Sequence, residues 1–300
     1  MRTALALLLM AAALSAQAPV EMKLKLAKGK SWEVKQTVQL KSECTDKDGN
    51  LLGAQSGKHE VSLTEKWTDE SLGEDKAGVS QVKRVWTESK MTVLDSDLAA
   101  TEVEGAQVTV ARTSKGVTAS PVKGALDKRT LAMLAASIDP VAVLLPSKPA
   151  KNGDTWELTE KQAAVFLEPF ASSLLSFSKD EAAKGNLRSV TQWLDPGKRT
   201  LIETPALKAT LEIGEDGKAT IKVKGTKKLG ADAATKLGAG DSSIEATLVF
   251  DTKTGQPVSL EVKATQATAA SSAWVYFGRG AKEDAGLSDE WTVSRTYEAK

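Results

Sequence analysis

The chain has 300 residues, and its 40 lysines and arginines nearly balance its 39 aspartates and glutamates. Nucleic-acid binding and attachment to an anionic membrane surface both depend on a local excess of positive charge, so the near-neutral composition argues against both. The single cysteine, Cys44, excludes an internal disulfide, and the fold must depend on a hydrophobic core, which a chain of this length can form.

Residues 1–18 have the pattern of a secretory signal peptide. Arg2 is positive, residues 4–14 are apolar throughout, and residues 16–18 supply the small side chains that signal peptidase requires. Cleavage after residue 18 places Pro19 beside the cut, which is unfavourable, and cleavage after residue 16 is the alternative. No cysteine follows the apolar stretch, so no lipid anchor is expected. No other apolar run reaches the roughly 20 residues that cross a bilayer. We expect a soluble protein exported to the periplasm or the medium.

Alternating apolar and polar residues predict antiparallel strands that are buried on one face and wet on the other. The first such strand places on its buried face Trp32, Val34, Gln36, Val38 and Leu40. The pattern continues in Val61, Leu63, Glu65 and Trp67, and it returns near the C-terminus in Trp291, Val293 and Tyr297. Turns at 215–217 and 251–255 join further alternating runs into two hairpins. The expected fold is a β-dominated α+β fold of curved, half-barrel-like antiparallel sheets.

Only two segments have helical periodicity, one near 125–138 and one near 160–178. The second contains an apolar stripe at intervals of four, four and three residues: Phe166, Phe170, Leu174 and Phe177. Pro169 is expected to kink or divide this helix, because it lacks an amide donor. One interpretation is a helix packed on a sheet. The other is a lid over the hollow of a curved sheet, with these four residues lining a site for an acyl chain.

A short internal repeat relates residues 28–34 to residues 152–158. The glycine, tryptophan and glutamate of Lys-Gly-Lys-Ser-Trp-Glu-Val recur in Asn-Gly-Asp-Thr-Trp-Glu-Leu. Chance similarity is one explanation. The other is that two similar halves, 19–145 and 146–300, follow the signal peptide.

The chain lacks the residues that most catalytic and metal sites require. Its sole histidine is His59, and no Gly-x-Ser-x-Gly motif is present. The run 46–50 suits a β-turn better than a calcium loop, because its glycine and glutamate positions do not match the EF-hand pattern. Ser176 and Lys179 match Ser-x-x-Lys, and 253–255 is Lys-Thr-Gly, but the Ser-x-Asn element between them is missing. No catalytic residue, metal or cofactor is predicted.

Cys44 has two interpretations. It is either a small side chain near the end of a strand or a reactive thiol available for an intermolecular bridge.

Residues 145–156 read Leu-Pro-Ser-Lys-Pro-Ala-Lys-Asn-Gly-Asp-Thr-Trp, and residues 250–257 read Phe-Asp-Thr-Lys-Thr-Gly-Gln-Pro. With these two motifs the chain resembles a family of uncharacterised exported bacterial β-rich proteins. The family has no known activity, so the resemblance implies no catalytic residues. The expected architecture is also similar to that of periplasmic lipoprotein carriers, which wrap a curved antiparallel sheet around helices.

These observations favour an exported, non-catalytic binding module of the bacterial cell envelope, with a lipid or other apolar ligand. The alternative is a structural or protein-interaction module with no small-molecule ligand. A third reading is an enzyme that uses carboxylates alone, brought together from distant strands, as glycosidases do.

Overall fold

A computed structural model gives the fold. It describes residues 18–25, 27–46, 48, 50–51, 58–74, 80–93, 96–100, 103–113, 116–123, 126, 131, 140–173, 204–231, 237–270 and 285–300. Residues 1–17 of the predicted signal peptide and most of the predicted helix near 125–138 lie outside this set.

The described residues form twelve strands in one antiparallel sheet. The strands are β1 (Ser31–Thr45), β2 (Lys58–Glu74), β3 (Ser80–Val93), β4 (Ser96–Ala100), β5 (Gln107–Thr113), β6 (Gly116–Lys123), β7 (Thr155–Leu158), β8 (Leu207–Ile213), β9 (Lys218–Leu229), β10 (Leu237–Asp251), β11 (Gln256–Ala270) and β12 (Ala285–Ala299). The prediction of a β-dominated, antiparallel fold is confirmed.

The order of the strands places the first and the last described strands, β1 and β12, side by side. Eleven strands run in the order β6-β5-β3-β2-β1-β12-β11-β10-β9-β8-β7, and β4 pairs with β3. From β1 the chain therefore steps outward to one edge, restarts at the other edge with β7, and steps back to β12. Among the described residues β6 and β7 do not pair with each other, so these two strands form the edges of the curved sheet.

The two faces of the sheet differ as the alternation predicts. On β1, Val34, Val38 and Leu40 are buried, whereas Lys35 points outward. The outer face carries exposed cross-strand ion pairs such as Lys222–Glu212, with a nitrogen–oxygen distance of 2.7 Å. Such exposed pairs stabilise a fold by about 1 kcal/mol or less, so the buried inner face supplies most of the stability.

One α-helix, α1 (Glu160–Ser173), and a 3-10 helix (Pro140–Leu144) accompany the sheet in the described residues. A reciprocal capping box begins α1. The Thr159 amide donates to Gln162 Oε1 at 3.0 Å, and the Gln162 amide donates to Thr159 Oγ1 at 3.3 Å. The helix is not divided at Pro169. Its inward side packs into the main core with residues of β1 to β3 and of β7 to β12.

Both copies of the internal repeat form the same turn. Gly29 and Gly153 have φ values of 78° and 86°, which lie in the left-handed region that favours glycine. Their amides donate to the carbonyl oxygens of Ser71 and Leu211 respectively, both at 2.8 Å. In return, the amides of Ser71 and Leu211 donate to the residue after each glycine. Each copy thus begins a strand by pairing its turn with the next strand along the chain.

The sheet is continuous across the predicted boundary between the halves. Residues 19–145 supply β1 to β6, and residues 146–300 supply β7 to β12. Similarity between the halves beyond the shared turn stays a prediction.

Candidate binding site

A recess lies at one end of the inner face, where β1, β2, β3, β11 and β12 meet the N-terminal segment. Its lining combines aromatic, aliphatic and guanidinium groups from Leu24, Trp32, Val34, Trp67, Asp69, Val82, Arg84, Gln256, Pro257, Arg295 and Tyr297. The free volume is about 30 Å³. This is room for about two water molecules or a group of similar size, and it is too small for an acyl chain.

Arg84 and Asp69 form a bidentate ion pair in the wall of the recess. Arg84 Nε donates to Asp69 Oδ1 at 2.7 Å, and Nη2 donates to Oδ2 at 2.8 Å. Trp67 Nε1 also donates to Asp69 Oδ2, at 3.1 Å. Both charged side chains are almost fully buried, with 3% and 5% exposed. A buried pair of this geometry neutralises its own charge, and loss of either partner leaves an uncompensated ion.

Arg295 is buried with different partners. Its Nε donates to Gln36 Oε1 at 2.8 Å, Nη2 donates to the same oxygen, and Nη1 reaches the Tyr297 hydroxyl at 3.4 Å. The residue is only 3% exposed. No carboxylate oxygen of the described residues lies within 4.0 Å of its guanidinium nitrogens. Its direct partners are therefore neutral oxygens.

Gln36 connects Arg295 to a buried carboxyl group. Gln36 Nε2 donates to Glu65 Oε2 at 3.0 Å. Burial raises the pKa of Glu65, and the positive charges of Arg295 and Arg84, together with the Gln36 hydrogen bond, act in the opposite direction. Three neighbouring strands, β2, β1 and β12, thus carry a continuous polar row across the inner face.

The two guanidinium groups also stack on aromatic rings. The Arg84 guanidinium carbon lies 4.7 Å from the ring centre of Trp67 and 5.4 Å from that of Trp86. The Arg295 carbon lies 5.3 Å from Trp67 and 5.0 Å from Phe170. Cation–π contacts of this length offset part of the cost of burying the charges. The row of stacked groups runs from β3 across β2 and β12 to α1.

A bulge in β3 makes this arrangement possible. Lys66 pairs with Glu88 and Trp67 pairs with Trp86, so Thr87 is the extra residue. Its hydroxyl donates to the Lys66 carbonyl at 3.1 Å. Because the bulge shifts the alternation by one residue, Arg84 and Trp86 face inward before it, and Ser89 and Met91 face inward after it.

The structure describes two of the four predicted ligand-binding residues. Phe166 and Phe170 are buried in the main core, 0% and 2% exposed, with their ring centres 5.8 Å apart in an edge-to-face contact. Neither lines the recess, but Phe170 contacts Arg295, which does. Leu174 and Phe177 lie outside the described residues. A role for the stripe in ligand binding stays a prediction.

The N-terminal segment, residues 18–25, forms a strap that joins the two sequence motifs. Val20 pairs with Ala150 through hydrogen bonds of 2.8 and 3.0 Å, and the Lys25 amide donates to the Gly255 carbonyl at 3.0 Å. Between them, Met22 is buried in the core and Leu24 lines the recess. The motifs therefore hold this segment against the recess.

Three other predicted features have defined places in the fold. Asp46 Oδ1 accepts the amides of Asp48 and Asn50, both at 2.9 Å, which confirms the predicted turn. Residues 253–255 lie in the turn between β10 and β11, where Asp251 Oδ1 accepts the Lys253 amide at 2.8 Å. Cys44 is fully buried, and burial raises the pKa of its thiol.

The described part of the chain contains no group of three or more His, Cys, Asp or Glu side chains placed to hold a metal ion. No helix in that part is long and apolar enough to cross a membrane.

Gln36, Glu65, Arg84 and Arg295 were not predicted as site residues. The sequence does carry a signal for three of them. Gln36 and Glu65 interrupt rows of apolar residues at inward positions. Arg295 likewise falls between Val293 and Tyr297 on the buried face of β12.

No family model and no curated protein matches the chain. Among solved structures, one described as "Lipid-protein interactions in lipovitellin" is similar over 90% of this chain and 25% of that chain, with 10% identity and a TM-score of 0.43. The chain thus spans about a quarter of that protein. The outer membrane protein OprG from Pseudomonas aeruginosa gives 6% identity over 91% of this chain and 96% of that chain, with a TM-score of 0.17. ExeD from Aeromonas hydrophila gives 7% identity over 91% and 49%, with a TM-score of 0.18. Likenesses this weak do not indicate what this chain binds.

Proposed function

We propose that the protein is an exported module of the bacterial cell envelope that binds an apolar ligand between α1 and the inner face of the sheet. One observation carries the proposal. Phe170 on the buried side of α1 contacts Arg295, and Arg295 lines the recess. A ligand that enters through the recess therefore reaches the underside of α1 directly.

The free-energy cost of moving α1 away from the sheet determines which kind of ligand can bind. Phe166 and Phe170 fill the space under α1, so the helix must move aside to admit a ligand. Burial of a phenylalanine side chain is worth about 1.5–3 kcal/mol, and each buried methylene is worth about 0.8 kcal/mol. Displacing both rings therefore costs about 3–6 kcal/mol, and roughly 4–8 methylenes of an acyl chain offset it. A long-chain ligand satisfies this requirement.

The polar groups in and behind the recess support binding rather than catalysis. In its wall, Arg84 and Asp69 are paired with each other, and behind it Glu65 accepts a hydrogen bond from Gln36. A general acid or base needs a reacting group within hydrogen-bonding reach, and a free volume of about 30 Å³ leaves little room for a substrate beside these side chains.

A structural or protein-interaction module is the second candidate, and a specific observation favours it. Phe166 and Phe170 are buried in the described core, and the recess, at about 30 Å³, is too small for an acyl chain. In this case α1 stays in place permanently, and the protein acts through its surface.

Organic extraction and mass spectrometry of protein purified from its native host distinguish the two candidates. Apolar-ligand binding predicts a co-purifying acyl-containing molecule at about one per chain. A clean extract, together with no uptake of added acyl chains, would leave the structural module as the function.

A further inference from the structure

Arg84 and Arg295 are two buried arginines in one recess, and they differ in how their charge is balanced. Arg84 has both oxygens of Asp69 at 2.7 and 2.8 Å. Arg295 has the neutral Gln36 amide oxygen and, at 3.4 Å, the Tyr297 hydroxyl. These contacts use three of the five N–H bonds of Arg295, and two have no acceptor among the described residues.

A buried cation without a direct anionic partner is costly, so such groups are normally paired. Arg295 is 3% exposed, and among the described residues its charge is offset by the Trp67 and Phe170 rings and by Glu65, which lies behind Gln36. The Gln36 side chain lies between Arg295 and Glu65, so that carboxyl group is not a direct counter-ion. The guanidinium therefore retains a capacity to bind an anion that Arg84 lacks.

The position of Arg295 indicates what kind of molecule carries the anionic group. Its guanidinium faces the recess on one side and the Phe170 ring, 5.0 Å away, on the other. The recess holds a group of about 30 Å³, which suits a head group rather than a chain. A planar guanidinium binds carboxylate through two parallel hydrogen bonds, which a point-like ammonium does not reproduce.

We infer that the ligand is an anionic amphiphile, with its carboxylate bound by Arg295 in the recess and its acyl chain lying under α1 beside Phe166 and Phe170. This inference rests on the proposed function and adds the chemical class of the ligand. Tyr297 and Trp32, which line the same recess, border the bound head group.

The test compares two fluorescent probes, 11-(dansylamino)undecanoic acid and its methyl ester, which differ in the charge of the head group and by one methyl group. The full-length processed protein, delipidated, is titrated with each probe. The acid is expected to bind at least tenfold more tightly than the ester. Equal affinities would overturn the head-group inference and leave apolar binding intact, whereas no binding of either probe would overturn both.

Variants test whether Arg295 causes the preference for the acid probe. Arg295→Met should bring the affinity for the acid down to that for the ester, and Arg295→Lys should keep part of the preference. Lys35→Met, on the exposed outer face of β1, is the matched control and should leave both affinities unchanged. If Arg295→Met does not fold, the acid-to-ester ratio of the unmodified protein still decides the inference. An undiminished acid preference in a folded Arg295→Met variant would overturn it.

A small free anion is the alternative ligand for the Arg295 guanidinium. Inorganic phosphate and acetate are therefore added as competitors at millimolar concentration. The inference predicts little displacement of the acid probe, because neither competitor has a chain. Complete displacement of the acid probe by either competitor would mean that the recess binds a small free anion, and it would overturn the inference of an amphiphilic ligand.

Discussion

The guanidinium carbon of Arg295 lies 5.0 Å from the ring centre of Phe170. This contact joins the C-terminal strand, β12, to α1, two elements that are more than a hundred residues apart in the chain. It also connects the polar recess with the apolar core. The proposed ligand site follows from this contact. Arg295 can bind the charged head group of a ligand, and the apolar surroundings of Phe170 can hold its acyl chain.

The length of the acyl chain should control binding. We expect saturated fatty acids of about four carbons not to displace the dansyl probe, and acids of about twelve to sixteen carbons to displace it. Between these limits each added methylene should tighten binding by about fourfold. Competition titrations measure the series. An affinity that is independent of chain length would contradict insertion under α1.

Phe166→Ala should destabilise the fold by about 3–5 kcal/mol, because it leaves a cavity under α1. Val165→Ala on the same helix is the control. Val165 is 48% exposed, and its truncation should change the free energy of unfolding by no more than about 0.5 kcal/mol. Urea denaturation gives both values. Similar values for the two variants would mean that Phe166 does not pack in the core.

The ion pair of Arg84 and Asp69 predicts strong non-additivity. Arg84→Met alone leaves a buried carboxylate and should cost about 3–5 kcal/mol, whereas Arg84→Met combined with Asp69→Leu should cost clearly less than the sum of the single variants. A double-mutant cycle from urea unfolding measures the difference. Additive effects would show that the two charges are not coupled.

The two turns of the repeat should respond alike to the same substitution. At Gly29 and Gly153 an added Cβ would have no atom within 4 Å, so alanine meets no clash there. Its only cost is the left-handed backbone, about 1–2 kcal/mol. Gly230, which also has open space but no positive φ, is the control. Thermal unfolding of the three alanine variants checks this, and unequal losses at Gly29 and Gly153 would argue against equivalent turns.

Glu65 should make stability fall as the pH rises. In the unfolded chain the carboxyl group ionises near pH ~4.3, and in the folded protein burial raises its pKa. Between the two values the folded state binds more protons than the unfolded state. The contribution of Glu65 is therefore present below the unfolded pKa and is lost as the pH rises through the folded pKa.

Glu65→Gln cannot ionise, so its stability relative to the unmodified protein should increase as the pH rises above about 4. Urea midpoints measured across a pH series for both proteins test the direction. A relative stability that falls with pH would mean that the ionised carboxylate is the favoured buried form.

Local sequence patterns predicted most of the fold but little of the recess. Period-two alternation identified the buried face of β1, and the repeated glycine marked two real turns. The sequence pattern did not predict Arg84 as a buried residue, because the Thr87 bulge shifts the alternation within β3. This shift becomes visible only in the pairing of β3 with β2. The approach of Arg295 to Phe170 depends on the whole sheet, and no short-range pattern encodes it.

Titration of the delipidated protein with 11-(dansylamino)undecanoic acid tests the central claim most directly. Trp67 lines the recess, so a bound dansyl group should accept energy from tryptophan. The account predicts saturable uptake of one probe per chain, with quenched tryptophan emission. Emission that stays unchanged, with no saturable uptake, would contradict a ligand site beneath α1.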